Sequence, residues 1–240
     1  MAAVKYLSRN AINVVIFSAI SSFAPAAAPD AVSVGADASG EFATPGEEVA
    51  FRATGAMSAR EHLAERLAAI AEFAATFTQE IQGAQGQVLE RSSGHVLLLR
   101  PMFKWVVDEP YPQIIVTEGD VLKVYDPDLE QLTIRPLADA LTDTPISLLT
   151  QENVVLGDTF GVIQMTDAQG ESFVITPRSE DSLYAEIRLR FSAHSLISLE
   201  ILDHLGQFTE IRFEVEPRTT VLQSSDFSLE VPPGTDVIGG

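Results

Sequence analysis

The stretch HVLLLRPMFKWVVDEP, residues 95 to 110, sets one guanidinium, Arg100, beside Pro101 in a run that is apolar at both even and odd positions. A strand apolar on both faces must be covered on both, or pack on one face and line a cavity with the other. Arg100 brings five donors and a permanent charge, so it either pairs with a carboxylate at a rim or latches a movable element across an opening. Both readings stand on the residues alone. The other groups able to do chemistry are dispersed. His62, His95, His194 and His204 form no HExxH and no close pair, and there is no cysteine to complete a zinc set, so no metal site is expected. No GxSxG, P-loop or GxGxxG occurs, and no cofactor is expected. The acids of DPDLEQ, residues 126 to 131, read as a turn and lack the glycine and spacing of a calcium loop. Catalytic triads are assembled in space, so a missing motif does not by itself exclude an enzyme.

The elements that would position Arg100 are mostly strands. Ser58 and Glu61 form a capping box ahead of Leu63, Leu67, Ile70, Ala74 and Phe77 at helical spacing, which predicts one amphipathic helix. After it come short apolar runs bounded by turn residues, from GQVLE and HVLLLR through FKWVV, QIIVT, VLKVYD and QLTIR to FGVIQMT and SFVITP. In YAEIRLRF and TEIRFEVE apolar and charged residues alternate strictly, as in strands with one dry and one wet face. Roughly ten or eleven such strands and one helix predict a mainly β fold: an incomplete antiparallel barrel, or strongly curved sheet, whose concave side must be filled. One connection interrupts the meander. In PLADALTDTPISLLTQE, Thr144 can cap a short helix with Pro145 at its first position and Ile146, Leu148 and Leu149 on its apolar side, suited to core packing or to a lid.

Composition bounds the class. The 240 residues are 46% hydrophobic, enough for one core, and carry 15 Lys+Arg against 34 Asp+Glu for a net charge of -19. That balance argues against nucleic acid and against an anionic membrane face, and suits a partner with a basic docking surface. Lys5 and Arg9 precede the apolar run AINVVIFSAISSF and the small residues APAAAP, which predicts a cleaved signal peptide over residues 1–26. Its removal takes Lys5 and Arg9 with it, from -19 to -21. Residues 27–57 show no sustained period and are expected to form a flexible acidic linker, leaving 58–240 as a single domain.

The segments GHVLLLRPMFKW, IIVTEGDVLKVYDPDLEQLTI, TDTPISLL, ESFVITPR and DFSLEVPPGTDVI together resemble the outer-membrane lipoprotein carrier protein LolA family over roughly residues 58 to 238. The resemblance implies an incomplete barrel with an apolar cavity covered by helices acting as a lid. It implies a periplasmic, monomeric carrier of the Gram-negative envelope that is not an enzyme. Such a carrier takes acylated lipoproteins from the inner-membrane LolCDE transporter and delivers them to the outer-membrane receptor LolB. On the matching positions, Arg100 would latch the lid in the closed, empty form, with Phe103 and Trp105 near the cavity. Leu97, Leu99, Phe103, Trp105, Ile114, Val116 and Leu122 are the candidate cavity residues, about half of which strand alternation will turn away, and Ile146, Leu148 and Leu149 are the candidate lid.

Two other classes fit part of the pattern. A sensor of the same fold that binds lipid or lipoprotein would carry a further signalling domain, which the pattern up to residue 240 does not offer. A lipid-modifying hydrolase would reveal itself by ester hydrolysis lost on substitution of a Ser or His.

Overall fold

In a computed structural model, residues 57–138, 147–150, 160–168, 170–179, 182–215 and 220–239 are described. The chain enters through a capped helix, α1 (Ala59–Ala68), with the Ser58 hydroxyl accepting from Glu61 N at 3.2 Å and the Glu61 carboxylate accepting from Ser58 N at 2.8 Å. Leu63 and Leu67, four residues apart on one face, are fully buried. Helical spacing suggested that α1 runs on to Phe77, but it ends at Ala69 and β1 (Glu72–Gln82) follows. From Ala75 onward the burial has period two: Ala75, Phe77 and Ile81 are buried, as is Phe73 before them, while Thr76 and Thr78 are exposed. Ladders on both sides of β1 then satisfy its backbone groups, and this tertiary pairing overrides the local helical spacing.

The remaining strands are β2 (Val88–Leu99), β3 (Met102–Glu109), β4 (Gln113–Glu118), β5 (Val121–Asp126), β6 (Gln131–Pro136), β7 (Phe160–Asp167), β8 (Gly170–Pro177), β9 (Tyr184–Phe191), β10 (Leu196–Asp203), β11 (Phe208–Val215) and β12 (Asp236–Ile238), with a short helix α2 (Ser147–Thr150) between β6 and β7. They form one 12-stranded sheet in the order β12-β6-β5-β4-β3-β2-β1-β11-β10-β9-β8-β7. Two meanders, β1 to β6 and β7 to β11, are joined by antiparallel pairing of β1 with β11, and β12 runs parallel to β6. GQVLE and HVLLLR fuse into the single strand β2, and the three-residue β12 is too short for the sequence pattern to mark. DPDLEQ is the β5–β6 turn, with Leu129 N donating to the Asp126 carboxylate at 3.1 Å and Glu130 in the left-handed region at φ 52°.

This strand order explains the interrupted meander. β6 and β7 lie toward opposite edges of the sheet, so the connection between them must cross from one edge to the other. Within it, Leu148 and Leu149 of α2 join Leu63 and Leu67 of α1 in one core cluster with residues from β1 to β5 and β8 to β11. The sheet is thus a strongly curved, open antiparallel barrel with helices filling its concave side. The capping positions Thr144 and Pro145, and Ile146 with them, lie outside the described residues, as do the expected signal peptide and all but Met57 of the expected linker.

The convex side accounts for the second apolar face of residues 95–107. Leu222 and Phe227, in and beside a 3-10 turn (Ser224–Phe227), pack on Val116 with Leu97, Leu99, Met102 and Leu229 around them. Lys104 Nζ fixes this C-terminal strap by donating to Asp226 O at 3.1 Å and Ser228 O at 2.8 Å, and the Glu72 carboxylate accepts from Leu222 N at 2.9 Å. The stretch is therefore covered on both faces.

Candidate functional site: an apolar concave surface closed by two helices

The turn Arg100–Pro101 between β2 and β3 sets the facing of every residue near it. Pairing across it places Leu98 opposite Phe103 and Val96 opposite Trp105, and all four are buried on the concave side. Trp105 is the centre of an aromatic group: its ring stacks on Phe77 at 3.9 Å, lies 6.3 Å from Phe103 and meets Phe213 edge-on at 6.4 Å, while Phe213 meets Phe73 edge-on at 5.6 Å. Ile70, Leu149, Leu196 and Leu199 complete the lining of an apolar cavity of about 10 Å³. A void of this measure holds at most one water, against roughly 300–1,000 Å³ for a site that encloses a drug-sized ligand. The described arrangement is closed.

Of the expected cavity residues, Phe103 and Trp105 line this void and Leu122 belongs to the same inner cluster. Leu97, Leu99 and Val116 do not: they pack with the strap on the convex side, and Ile114, half-buried and on the same side of β4 as Val116, turns outward with them. The reason is period-two alternation combined with the two-residue turn, which puts the even positions of β2 and the odd positions of β3 and β4 inside. Val96 and Leu98 take the inner places. The signal was present in the sequence, because a short turn at Arg100–Pro101 with Phe103 and Trp105 inward requires Leu98 and Val96 inward as well. Ile70, Phe73, Leu196, Leu199 and Phe213 come from distant segments, and spacing gave no means of finding them. Of the expected lid residues, Leu148 and Leu149 are buried in the core cluster.

Arg100 lies at the seam. Its Nη2 donates to Leu67 O in the last turn of α1 at 2.6 Å, and its Nε donates to Leu149 O of α2 at 2.8 Å. Both acceptors are backbone carbonyls near helix ends, where carbonyl oxygens point out of the helix and favour a cation, and Leu67 O also accepts from Ile70 N at 3.1 Å. Among the described residues no carboxylate lies within ion-pairing distance of Arg100, and burial lowers its pKa. One side chain therefore ties both helices to the β2–β3 rim.

α1 is held differently at the opposite rim. Arg66 donates from Nη2 to Ser192 O at 2.6 Å and from Nη1 to Ala193 O at 3.1 Å in the β9–β10 turn. It lies 3.4 Å from the Glu171 carboxylate of β8 and stacks over the Phe191 ring at 4.9 Å. Arg60 donates to Phe160 O of β7 at 2.6 Å, and His62 meets Phe173 edge-on and lies 3.7 Å from Glu171. Toward the far end of the barrel the concave side becomes polar. Gln79, Ser92 and Thr209 are buried there, and Glu90 is half-buried with one carboxylate oxygen lacking a partner, so that desolvation pushes its pKa up to about 7.

Among the described residues no group of three His, Cys, Asp or Glu could hold a metal, and no helix is long and apolar enough to cross a membrane. The sequence profile of the family described as "Outer membrane lipoprotein carrier protein LolA" matches residues 68–230. An outer-membrane lipoprotein carrier protein of Chromohalobacter salexigens is 39% identical over 180 residues, covering 73% of this chain and 86% of the relative. One of Azotobacter vinelandii is 35% identical over 165 residues, covering 68% and 80%. The crystal structure of a LolA superfamily protein from Nitrosomonas europaea superposes with a TM-score of 0.42 at 13% identity, over 71% of this chain and 97% of that one. With the profile spanning most of the folded part and relatives above a third identical along most of their own length, the chain belongs to the LolA family of outer membrane lipoprotein carrier proteins.

Proposed function

We propose that the protein is a periplasmic carrier of acylated lipoproteins, acting by binding rather than by catalysis, which receives its cargo from the inner-membrane LolCDE transporter and gives it up to the outer-membrane receptor LolB. The observation that carries this reading is the pair of hydrogen bonds from Arg100 to the carbonyls of Leu67 and Leu149, which holds the apolar faces of two helices over an apolar concave surface.

Each buried methylene is worth ~0.8 kcal/mol, so one long acyl chain holds its protein in a bilayer by roughly 10 kcal/mol. Three such chains do not leave a membrane on a useful timescale without a replacement for the lipid. The inner surface formed by Val96, Leu98, Phe103, Trp105, Leu122 and Phe213 is that replacement, once Leu148 and Leu149 move off it. The cargo must also be released, which requires an empty state with stabilising contacts of its own. Arg100 supplies them: loading breaks its bonds to α1 and α2, and discharge restores them. This role needs only a single copy of the folded domain at residues 58–240, following a cleaved signal peptide and a linker.

The test is release. Mature protein is incubated with spheroplasts that retain newly made, outer-membrane-destined lipoproteins. Wild-type protein is expected to bring them into the soluble fraction, and Arg100→Leu is expected to collect cargo it does not discharge. No release by the folded wild-type protein would sink the carrier reading.

A further inference from the structure

The two rims grip α1 by unlike means. At the β2–β3 rim the grip is one half-buried guanidinium facing two carbonyls with no carboxylate in reach among the described residues. A half-buried guanidinium without a carboxylate partner is held at the expense of part of its hydration and regains that water when the contact opens. At the β8–β10 rim the grip is charge-balanced: Arg66 meets two carbonyls, the Glu171 carboxylate and the Phe191 ring, and nearly two turns earlier in α1 Arg60 adds a bond to Phe160 O of β7. A guanidinium that also has a carboxylate and a ring as partners has more to lose on separation. The attachments also differ in place, since Arg60 and Arg66 are carried by α1 itself and span almost its whole length, whereas Arg100 touches only its last turn.

We propose that Arg66 is a positioning residue that keeps α1 seated on the β8–β10 rim while the Arg100 side opens, so that the mouth opens from one side about a retained hinge. The inference deepens the carrier reading, yet its test reads the position of α1 and involves no cargo. A hinged α1 keeps Leu63 near the inner surface and exposes the cavity mainly between α1 and the β2–β3 rim. A helix released at both rims would lose its register and would have to find it again in every cycle.

The chain has no cysteine, so paired cysteines for spin labels can be introduced without background. Ala68, His194 and Asp120 are exposed, on α1, on the β9–β10 turn and at the Arg100 end of the sheet respectively. Distances are measured for Ala68→Cys with His194→Cys, and for Ala68→Cys with Asp120→Cys, in the wild-type and variant backgrounds. Arg100→Leu is expected to lengthen and broaden the Ala68–Asp120 distance while leaving Ala68–His194 narrow, and adding Arg66→Met is expected to broaden both. The milder Glu171→Gln, which keeps the shape of the site and the two carbonyl bonds, is expected to broaden Ala68–His194 partly in the Arg100→Leu background and not at all with Arg100 intact. Equal broadening of both pairs in Arg100→Leu alone overturns the hinge. So does an unchanged Ala68–Asp120 distance in that variant, or a narrow Ala68–His194 distance in folded Arg100→Leu/Arg66→Met. None of these results bears on whether lipoproteins are carried, which the release experiment decides separately.

Discussion

The indole of Trp105 lies against the ring of Phe77 at 3.9 Å between centroids and 26° between planes. This contact joins β3 to β1 across the intervening β2, and the β2 residue in register with Phe77 is Gly94. A β-carbon at Gly94 would lie 2.9 Å from Phe77 Cζ and run into the carbonyl oxygen of Val106. The missing side chain is what lets the two rings meet over β2.

Gly94→Ala should therefore displace Phe77 from Trp105 rather than fill a space. Forcing an extra carbon into a packed core costs about 1–3 kcal/mol, and here one of the clashing atoms is backbone, which yields least. Chemical denaturation should give a lower midpoint, with tryptophan emission in the native state already changed. An unaltered midpoint would mean that the strands separate at Gly94 without loss.

Trp105 is the only tryptophan in the chain and is 4% exposed, so its emission reports on the cavity alone. The empty wild-type protein should emit like a buried indole and resist acrylamide. Arg100→Leu, freed of the two bonds that hold α1 and α2 down, should emit further to the red and be quenched more readily. A long-chain fatty-acyl probe should then restore shielding in the variant at lower concentration than it perturbs the wild type. Equal quenching of the two proteins would show that Arg100 does not hold the mouth shut.

Strand alternation in the later segments made the β architecture legible, and the capping box at Ser58 marked where the helix begins. Its end was not legible: Ile70, Ala74 and Phe77 continue the helical spacing, and only the ladders to β2 and β11 show why the chain extends after Ala71. At the site, Arg100 stood out because a guanidinium between apolar runs demands a partner, but its acceptors, Leu67 O and Leu149 O, are backbone atoms that no side-chain pattern announces. Leu97, Leu99 and Val116 misled because a two-faced apolar strand does not say which face is which. The strap bearing Leu222 and Phe227, more than a hundred residues away, takes their side.

That division yields a paired prediction. Leu98→Ala removes a side chain 1% exposed beside the cavity, and should destabilise by about 2–5 kcal/mol while leaving more room for an acyl probe. Leu97→Ala removes a half-buried side chain beneath the strap. It should cost about 1 kcal/mol, since fewer methylenes leave a dry environment, and it should leave probe affinity unchanged. Denaturant midpoints and probe titration on the two variants measure both effects. Tighter or weaker probe binding in Leu97→Ala would place the outer face in the binding surface after all.

Glu90 supplies a pH dependence whose sign is fixed by its surroundings. Desolvation raises its pKa from 4.5 to about 7 in the folded protein, with no cation drawn in to offset it. Between those two values the folded chain binds a proton that the unfolded chain has lost, so stability falls as pH rises through this window. The contribution is intact below about pH 4.5 and is gone above about pH 7. A half-buried carboxylate keeps part of its hydration, so the difference is about 1 kcal/mol, below what the full shift would give. Glu90→Gln keeps the shape and abolishes the titration. It should match the wild type at about pH 4 and exceed it by that amount at about pH 8, read as the difference between two denaturation series so that every other titrating group cancels. A constant difference across the range would mean that Glu90 is hydrated in the folded protein and that the polar end of the concave side is open to water.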